Sequence, residues 1–172
     1  MYRLAALIVA ILCVALPVSA SSHCVTWGPV GPPGSFAVTL DPWFGYGDCW
    51  SFSGATYHDS ANTKGVLPGF GTISQSHDFR GEYWSIYDLV IDVTVVPGTS
   101  SGSERLRIDV VRGNGTLHTI ATLSPSSPSG TYRYVVGDYD NQLINLRIRY
   151  IPGTSAGNTV FKIDNTSLWV TP

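Results

Sequence analysis

The side chains in this sequence best suited to chemistry are aromatic rings set beside polar groups in glycine-rich loops. Trp43, Phe44 and Tyr46 alternate with Gly45 and Gly47 in "DPWFGYGD", and Tyr83-Trp84 follow Arg80-Gly81-Glu82 just before a strand pattern. A loop ring can stack on the apolar face of a pyranose while a neighbouring carboxylate or guanidinium takes the hydroxyls. Trp43, Tyr46, Trp84, Arg80 and Glu82 are therefore candidate ligand contacts; the competing use of the same rings is to cover the ends of the core. Trp50, beside Cys49, reads as core.

Signals for catalysis dissolve on closer reading. Gly98-Thr99-Ser100-Ser101-Gly102 and Gly153-Thr154-Ser155-Ala156-Gly157 both fit the G-x-S-x-G nucleophile elbow. That elbow needs a strand-to-helix turn over a parallel sheet, whereas both runs follow a strand and a proline (Pro97, Pro152) and precede another strand. They read as two uses of one turn type. His23, His58, His77 and His118 stand singly, without zinc-ligand spacing. Asp41, Asp48, Asp59, Asp78 and Glu82 are available acids, but no spacing pairs two of them as a glycosidase requires. The expectation is a protein that is not an enzyme.

The elements that must position these residues are β-strands. No ten-residue window after residue 20 has a helical period, while "IYDLVIDVTVV" places Tyr87, Leu89, Ile91, Val93 and Val95 on one face. "ERLRIDVVR" sets Leu106, Ile108 and Val110 against Arg105, Arg107, Asp109 and Val111, and "LINLRIRYI" groups Ile144, Leu146, Ile148 and Tyr150. With the shorter segments, about nine or ten strands are expected, spaced as in an antiparallel β-sandwich or jelly roll. Asn114-Gly115 reads as a type I′ hairpin turn. Asn114-Gly115-Thr116 and Asn165-Thr166-Ser167 are also glycosylation sequons.

The last segment, "VFKIDNTSLWVTP", breaks its own alternation: Phe161 and Ile163 are odd, Leu168 and Val170 even, and Asp164 sits at the switch. A bulge near Asn165 would let all four apolar side chains reach the core.

Residues 1–20 carry Arg3, an apolar run from Leu4 to Leu16 and small residues before a cut, the pattern of a secretory signal peptide. The run is shorter than the roughly 20 residues a bilayer crossing takes. The expected product is a soluble exported protein, extracellular or periplasmic, with residues 21–172 as one domain. Its two remaining cysteines, Cys24 and Cys49, most simply form one disulfide, with reactive thiols or metal ligation as the alternatives. Setting Arg3 aside, nine Lys and Arg face twelve Asp and Glu. No strong field favours nucleic acid or an anionic membrane.

"TVFKIDNTSLWV" resembles the terminal strand of galactose-binding-like jelly rolls, including carbohydrate-binding modules of the family 4, 9 and 22 type. "CWSFSG", "YDLVIDVTV" and "INLRIRY" are similar to earlier elements of the same fold, in the same order, over roughly residues 35–171. The resemblance implies a two-sheet antiparallel sandwich that binds a polysaccharide or glycoconjugate. It also implies a structural Ca2+ between the first and last strands, with Asp164 at the matching terminal position; Asp41, directly after "FAVTL", and behind it Asp48 are the candidate partners, the Phe-Glu pair common near the N-terminus of these modules is absent, and the alternative is an Asp164 that hydrogen-bonds backbone amides at the bulge. An extracellular adhesive module that recognises protein or matrix is the alternative use of such a fold.

Overall fold

The computed structural model describes residues 26–29, 36–41, 50–59, 61–62, 64–78, 85–99, 102–137, 141–154 and 158–171; of these, 26–29, 36–41, 77–78, 85–87 and 169–171 are described by their backbone alone. Twelve strands run through them, where the sequence pattern resolved nine or ten. They are β1 (Thr26–Pro29), β2 (Phe36–Asp41), β3 (Ser51–Gly54), β4 (Tyr57–Asp59), β5 (Lys64–Leu67), β6 (Gly71–Asp78), β7 (Ser85–Val96), β8 (Arg105–Arg112), β9 (Leu117–Leu123), β10 (Gly130–Val135), β11 (Leu143–Ile151) and β12 (Val160–Thr171). No helix occurs among the described residues.

The strands form two antiparallel sheets, as expected for a β-sandwich. One has five strands in the order β3-β6-β11-β8-β9. The other has seven, because β12 takes β7 along one side and divides its other side between two partners. Phe161–Ile163 pair with β5, and Thr166–Val170 pair with β2. β10 adds outside β7, β1 outside β2, and β4 outside β5.

The division of β12 explains its broken alternation. Its register shifts between Asp164 and Ser167 against β7, and between Thr166 and Ser167 against β2. Asn165 adopts the left-handed conformation at φ 45°, which asparagine tolerates better than most residues. The bulge restores the core face after the break: Phe161, Ile163 and Leu168 are all fully buried. Val170, expected to join them, has no described side chain.

Inward positions elsewhere follow the two-residue period. Leu89, Ile91, Val93 and Val95 of β7 meet Leu106, Ile108 and Val110 of β8 and Ile144, Leu146, Ile148 and Tyr150 of β11 in one core. Tyr87 has no described side chain. The Tyr150 and Phe161 rings, from opposite sheets, meet edge to face at 5.9 Å between centroids. Burying each such aliphatic side chain contributes about 1.5–3 kcal/mol.

Two local expectations need correction. Asn114 has no positive φ, so the β8–β9 hairpin is not type I′. The Gly115 amide donates to the Arg112 carbonyl at 2.8 Å, the Arg112 amide to the Thr116 carbonyl at 2.9 Å, and Gly115 takes φ 84°. That is a three-residue loop built on a type I turn closed by a left-handed glycine. Asp109, on the outer side of β8 as its parity demands, is nevertheless wholly buried.

The two Gly-Thr-Ser loops each carry the chain from one sheet to the other, β7 to β8 and β11 to β12, and they interlock. A Cβ on Gly98 would lie 2.5 Å from the Asn158 carbonyl carbon, and one on Gly153 would lie 2.3 Å from Ser103 Oγ. The Ser103 hydroxyl accepts the Thr154 amide at 2.8 Å.

Candidate functional site

Arg-x-Arg occurs in two strands, at Arg105 and Arg107 of β8 and at Arg147 and Arg149 of β11. Period two places such pairs on one face, and the sheet register sets Arg149 opposite Arg107 and Arg147 opposite Asp109. All project from the outer surface of the five-stranded sheet, since Leu106, Ile108, Ile148 and Tyr150 fill the inner one. Like charges directly opposite one another are destabilising; Asp109 relieves the clash.

Both Asp109 oxygens are saturated. Oδ1 accepts from Arg107 Nε at 2.8 Å and from the Thr119 hydroxyl at 2.8 Å, while Oδ2 accepts from Arg149 Nε at 2.9 Å and Nη2 at 2.6 Å. The two guanidiniums lie over the carboxylate and bury it, remaining about a third exposed themselves, at 32% and 30%. Burial pushes the Asp109 carboxyl up, but the hydrogen bonds from Arg107, Thr119 and Arg149 outweigh it and hold the group below the usual carboxylate range.

A second chain of bonds orders the neighbouring part of the face. Arg147 Nε donates to Asn145 Oδ1 at 2.8 Å, and Asn145 Nδ2 donates to Ser76 Oγ at 2.8 Å. Ser51, Ser53, Thr72 and Ser74 continue the surface across β3 and β6, in register with one another and with β11. The result is an open face of hydroxyls, amides and guanidiniums whose described part carries no aromatic ring. The terminal nitrogens of Arg107 and Arg147 have no partner among the described residues.

Two hollows lined by described residues lie elsewhere. Arg112, Gly113, Asn114, Asn141, Gln142 and Leu143 line a cleft of about 500 Å³ at the β8–β9 hairpin. A smaller hollow on the outer face of the seven-stranded sheet contains Lys64, Thr131 and two carboxylates, Asp92 and Asp164, which the register places opposite each other. Thr131 Oγ1 and Asn165 Nδ2 donate to Asp92, and the Asn165 amide donates to Asp164 Oδ1 at 2.9 Å.

Most candidate contacts named from the sequence lie outside the described residues: Trp43, Tyr46, Asp48, Arg80, Glu82, Trp84, and both Cys24 and Cys49. Asp41 is described by its backbone, paired with Thr166. Of the calcium set, the described part is the Asp164 carboxylate, with one oxygen engaged by the Asn165 amide. No group of three or more His, Cys, Asp or Glu that could hold a metal occurs among the described residues. Calcium takes six to eight oxygens, so the remaining ligands would fall on Asp41, Asp48 and loop carbonyls.

Sequence reading passed over the Arg107, Arg147 and Arg149 cluster as ordinary outward positions. The available signal was the repeated Arg-x-Arg at strand period. It also passed over two exposed rings, Tyr57 and Phe70.

No family model matches the chain, and no curated protein matches it in sequence. Among solved structures, a variant of the family 29 carbohydrate-binding module CBM29-2 complexed with cellulohexaose aligns over 80% of this chain and 93% of that one, with TM-score 0.53 and 14% identity. The family 61 module TmCBM61, in complex with β-1,4-galactotriose, aligns over 74% and 93%, with TM-score 0.50 and 11% identity. These neighbours belong to families 29 and 61, not to the families 4, 9 and 22 of the sequence resemblance. What they share with this chain is the fold, a jelly-roll β-sandwich.

Proposed function

We propose that this protein is an exported, non-catalytic glycan-binding module. The observation that carries the reading is the outer face of the five-stranded sheet. There Ser51, Ser53, Thr72, Ser74, Ser76, Asn145 and Arg147 present donors and acceptors on a rigid strand scaffold, the chemistry that sugar hydroxyls need. The fold neighbours were captured with cellulohexaose and galactotriose, which is consistent with it.

Trp43, Tyr46 and Trp84 supply the stacking rings, with Arg80 and Glu82 beside them. The absence of catalysis rests on the sequence, where no nucleophile, base and orienter come together, and on both Gly-Thr-Ser runs being strand connections. Residues 1–20 serve as the export signal, Cys24 and Cys49 as a staple, and Asp164 with Asp41 and Asp48 as a structural calcium site.

Polysaccharide pull-down and a glycan array with wild type, Trp43→Ala and Trp84→Ala test the reading. Wild type is expected to retain at least one glycan, and each variant to lose it. Retention that neither substitution changes would remove the aromatic assignment, and no retention by wild type would remove the function.

A further inference from the structure

We propose that the outer face of the five-stranded sheet selects an acidic polysaccharide, with Arg107, Arg147 and Arg149 receiving the carboxylates of uronic-acid units. The inference rests on the glycan-binding reading and names its ligand class.

The charge arithmetic of the face points this way. Four guanidiniums, Arg105 among them with its Nη1 held by the Gly102 and Glu104 carbonyls, share it with one carboxylate, and Asp109 has no acceptor capacity left for a further donor, since four hydrogen bonds already reach its two oxygens. The patch is therefore net cationic in a chain whose formal net charge is −2. It is a local feature rather than general basicity, and a local field of this sign attracts an anion.

Geometry narrows the anion further. Arg107 is anchored through Nε to Asp109, Arg149 through Nε and Nη2 to the same carboxylate, and Arg147 through Nε to Asn145. Anchoring one edge of a guanidinium fixes its plane and leaves terminal nitrogens to form paired bonds with a planar carboxylate. Much of the side-chain entropy that ligand binding would otherwise cost has already been lost on folding. Arg147 and Arg149 are two residues apart on one strand, roughly 7 Å, with Arg107 on the next strand. Successive carboxylates of one polymer chain can thus meet successive forks. The flanking serines, threonines and Asn145 offer partners for hydroxyls.

The test compares polygalacturonate with the same polymer after carboxyl reduction, alongside double-stranded DNA and polyglutamate as polyanions without sugar acids. Affinity electrophoresis and calorimetry would use wild type, Arg147→Glu, Arg147→Lys and Trp43→Ala. Wild type should bind polygalacturonate at least tenfold more tightly than the reduced polymer, DNA or polyglutamate, and more weakly as salt rises. Arg147→Glu should lose at least tenfold on polygalacturonate at an unchanged melting temperature, since Arg147 is exposed. Arg147→Lys, which keeps charge but loses the fork, should fall between. Equal binding of reduced and unreduced polymer, equal retention by DNA, or an Arg147→Glu variant that binds like wild type would each overturn the proposal. Binding to neutral glycans that Trp43→Ala abolishes, with no carboxylate preference, would overturn it and leave the glycan-binding function standing. Failure to bind any polymer would overturn both.

Discussion

Replacing Asp109 by asparagine should cost about 2–3 kcal/mol of stability. The carboxylate takes four hydrogen bonds from Arg107, Thr119 and Arg149 and is wholly buried. An amide of the same shape keeps one acceptor oxygen and turns its NH2 group toward a guanidinium, which cannot accept: toward Arg149 alone at the Oδ2 position, or toward Arg107 at the Oδ1 position, where the Thr119 hydroxyl can accept one N–H. At least one charge-assisted contact is lost, worth about 1.5–3 kcal/mol, and an N–H is set against a guanidinium. The arginines are about a third exposed and can turn partly to water, which keeps the total below that of a fully buried broken pair. For a domain of this size the loss corresponds to a melting temperature lower by roughly 5–10 °C. The dependence on pH gives a second reading. A folded-state carboxyl held below its unfolded value contributes fully above the unfolded value of about 3.9, and the contribution is lost as pH falls through the folded value. The gap between wild type and Asp109→Asn should therefore be constant from pH 7 to about 5 and should close below about 4. Asp59, held low chiefly by the Asn62 side chain, and Glu104, held low chiefly by the Gly102 amide, are common to both proteins and cancel in the difference. Thermal unfolding followed by circular dichroism across this range is the assay. A variant melting within 1 °C of wild type at pH 7, or a gap that persists unchanged at pH 2.5, would refute the account.

Gly98→Ala should lower stability by about 1–3 kcal/mol, because its Cβ would press on backbone atoms of Asn158 that cannot swing away. Gly102→Ala, with nothing within 4 Å of the added carbon, should change the denaturant midpoint negligibly; equal effects at the two positions would contradict the interlocked loops. Thr166 is fully buried and its hydroxyl has no partner among the described residues, so Thr166→Val should be neutral or stabilising by up to about 1 kcal/mol in the presence of chelator. A clear loss there would show that the hydroxyl is bonded. The proposed calcium site predicts that chelator lowers the melting temperature of wild type and that Asp164→Asn abolishes the difference; indifference of wild type to chelator would remove the site.

How much of this was legible from residues depends on whether alternation alone decides a position. Leu106, Ile108, Val110, Ile144, Leu146, Ile148 and Tyr150 were placed correctly because a strand with one face on a core has only two registers, and the wrong one exposes every apolar side chain. The break in β12 was legible for the same reason: two apolar sets of opposite parity in one strand demand an extra residue, and Asn165 supplies it at a positive φ. What alternation could not supply was pairing across strands. Nothing in "RLRID" or "NLRIRY" alone says that Arg149 will lie opposite Arg107, or that Asp109 will disappear beneath both. Outward parity ordinarily means exposure, and it fails where a short acid lies among long cations that can fold over it. The hairpin was misread for a related reason. Asn-Gly strongly favours a two-residue type I′ turn, but Gly113 precedes it, and the strands close at Arg112 and Thr116, leaving room for a third loop residue. Local chemistry fixed that a turn occurs there; the closing pair, a property of two strands together, decided its form. The same distinction separates the two candidate ligand surfaces. The loop aromatics are visible one at a time, as rings beside glycine, whereas the arginine face exists only once β8 and β11 are laid side by side.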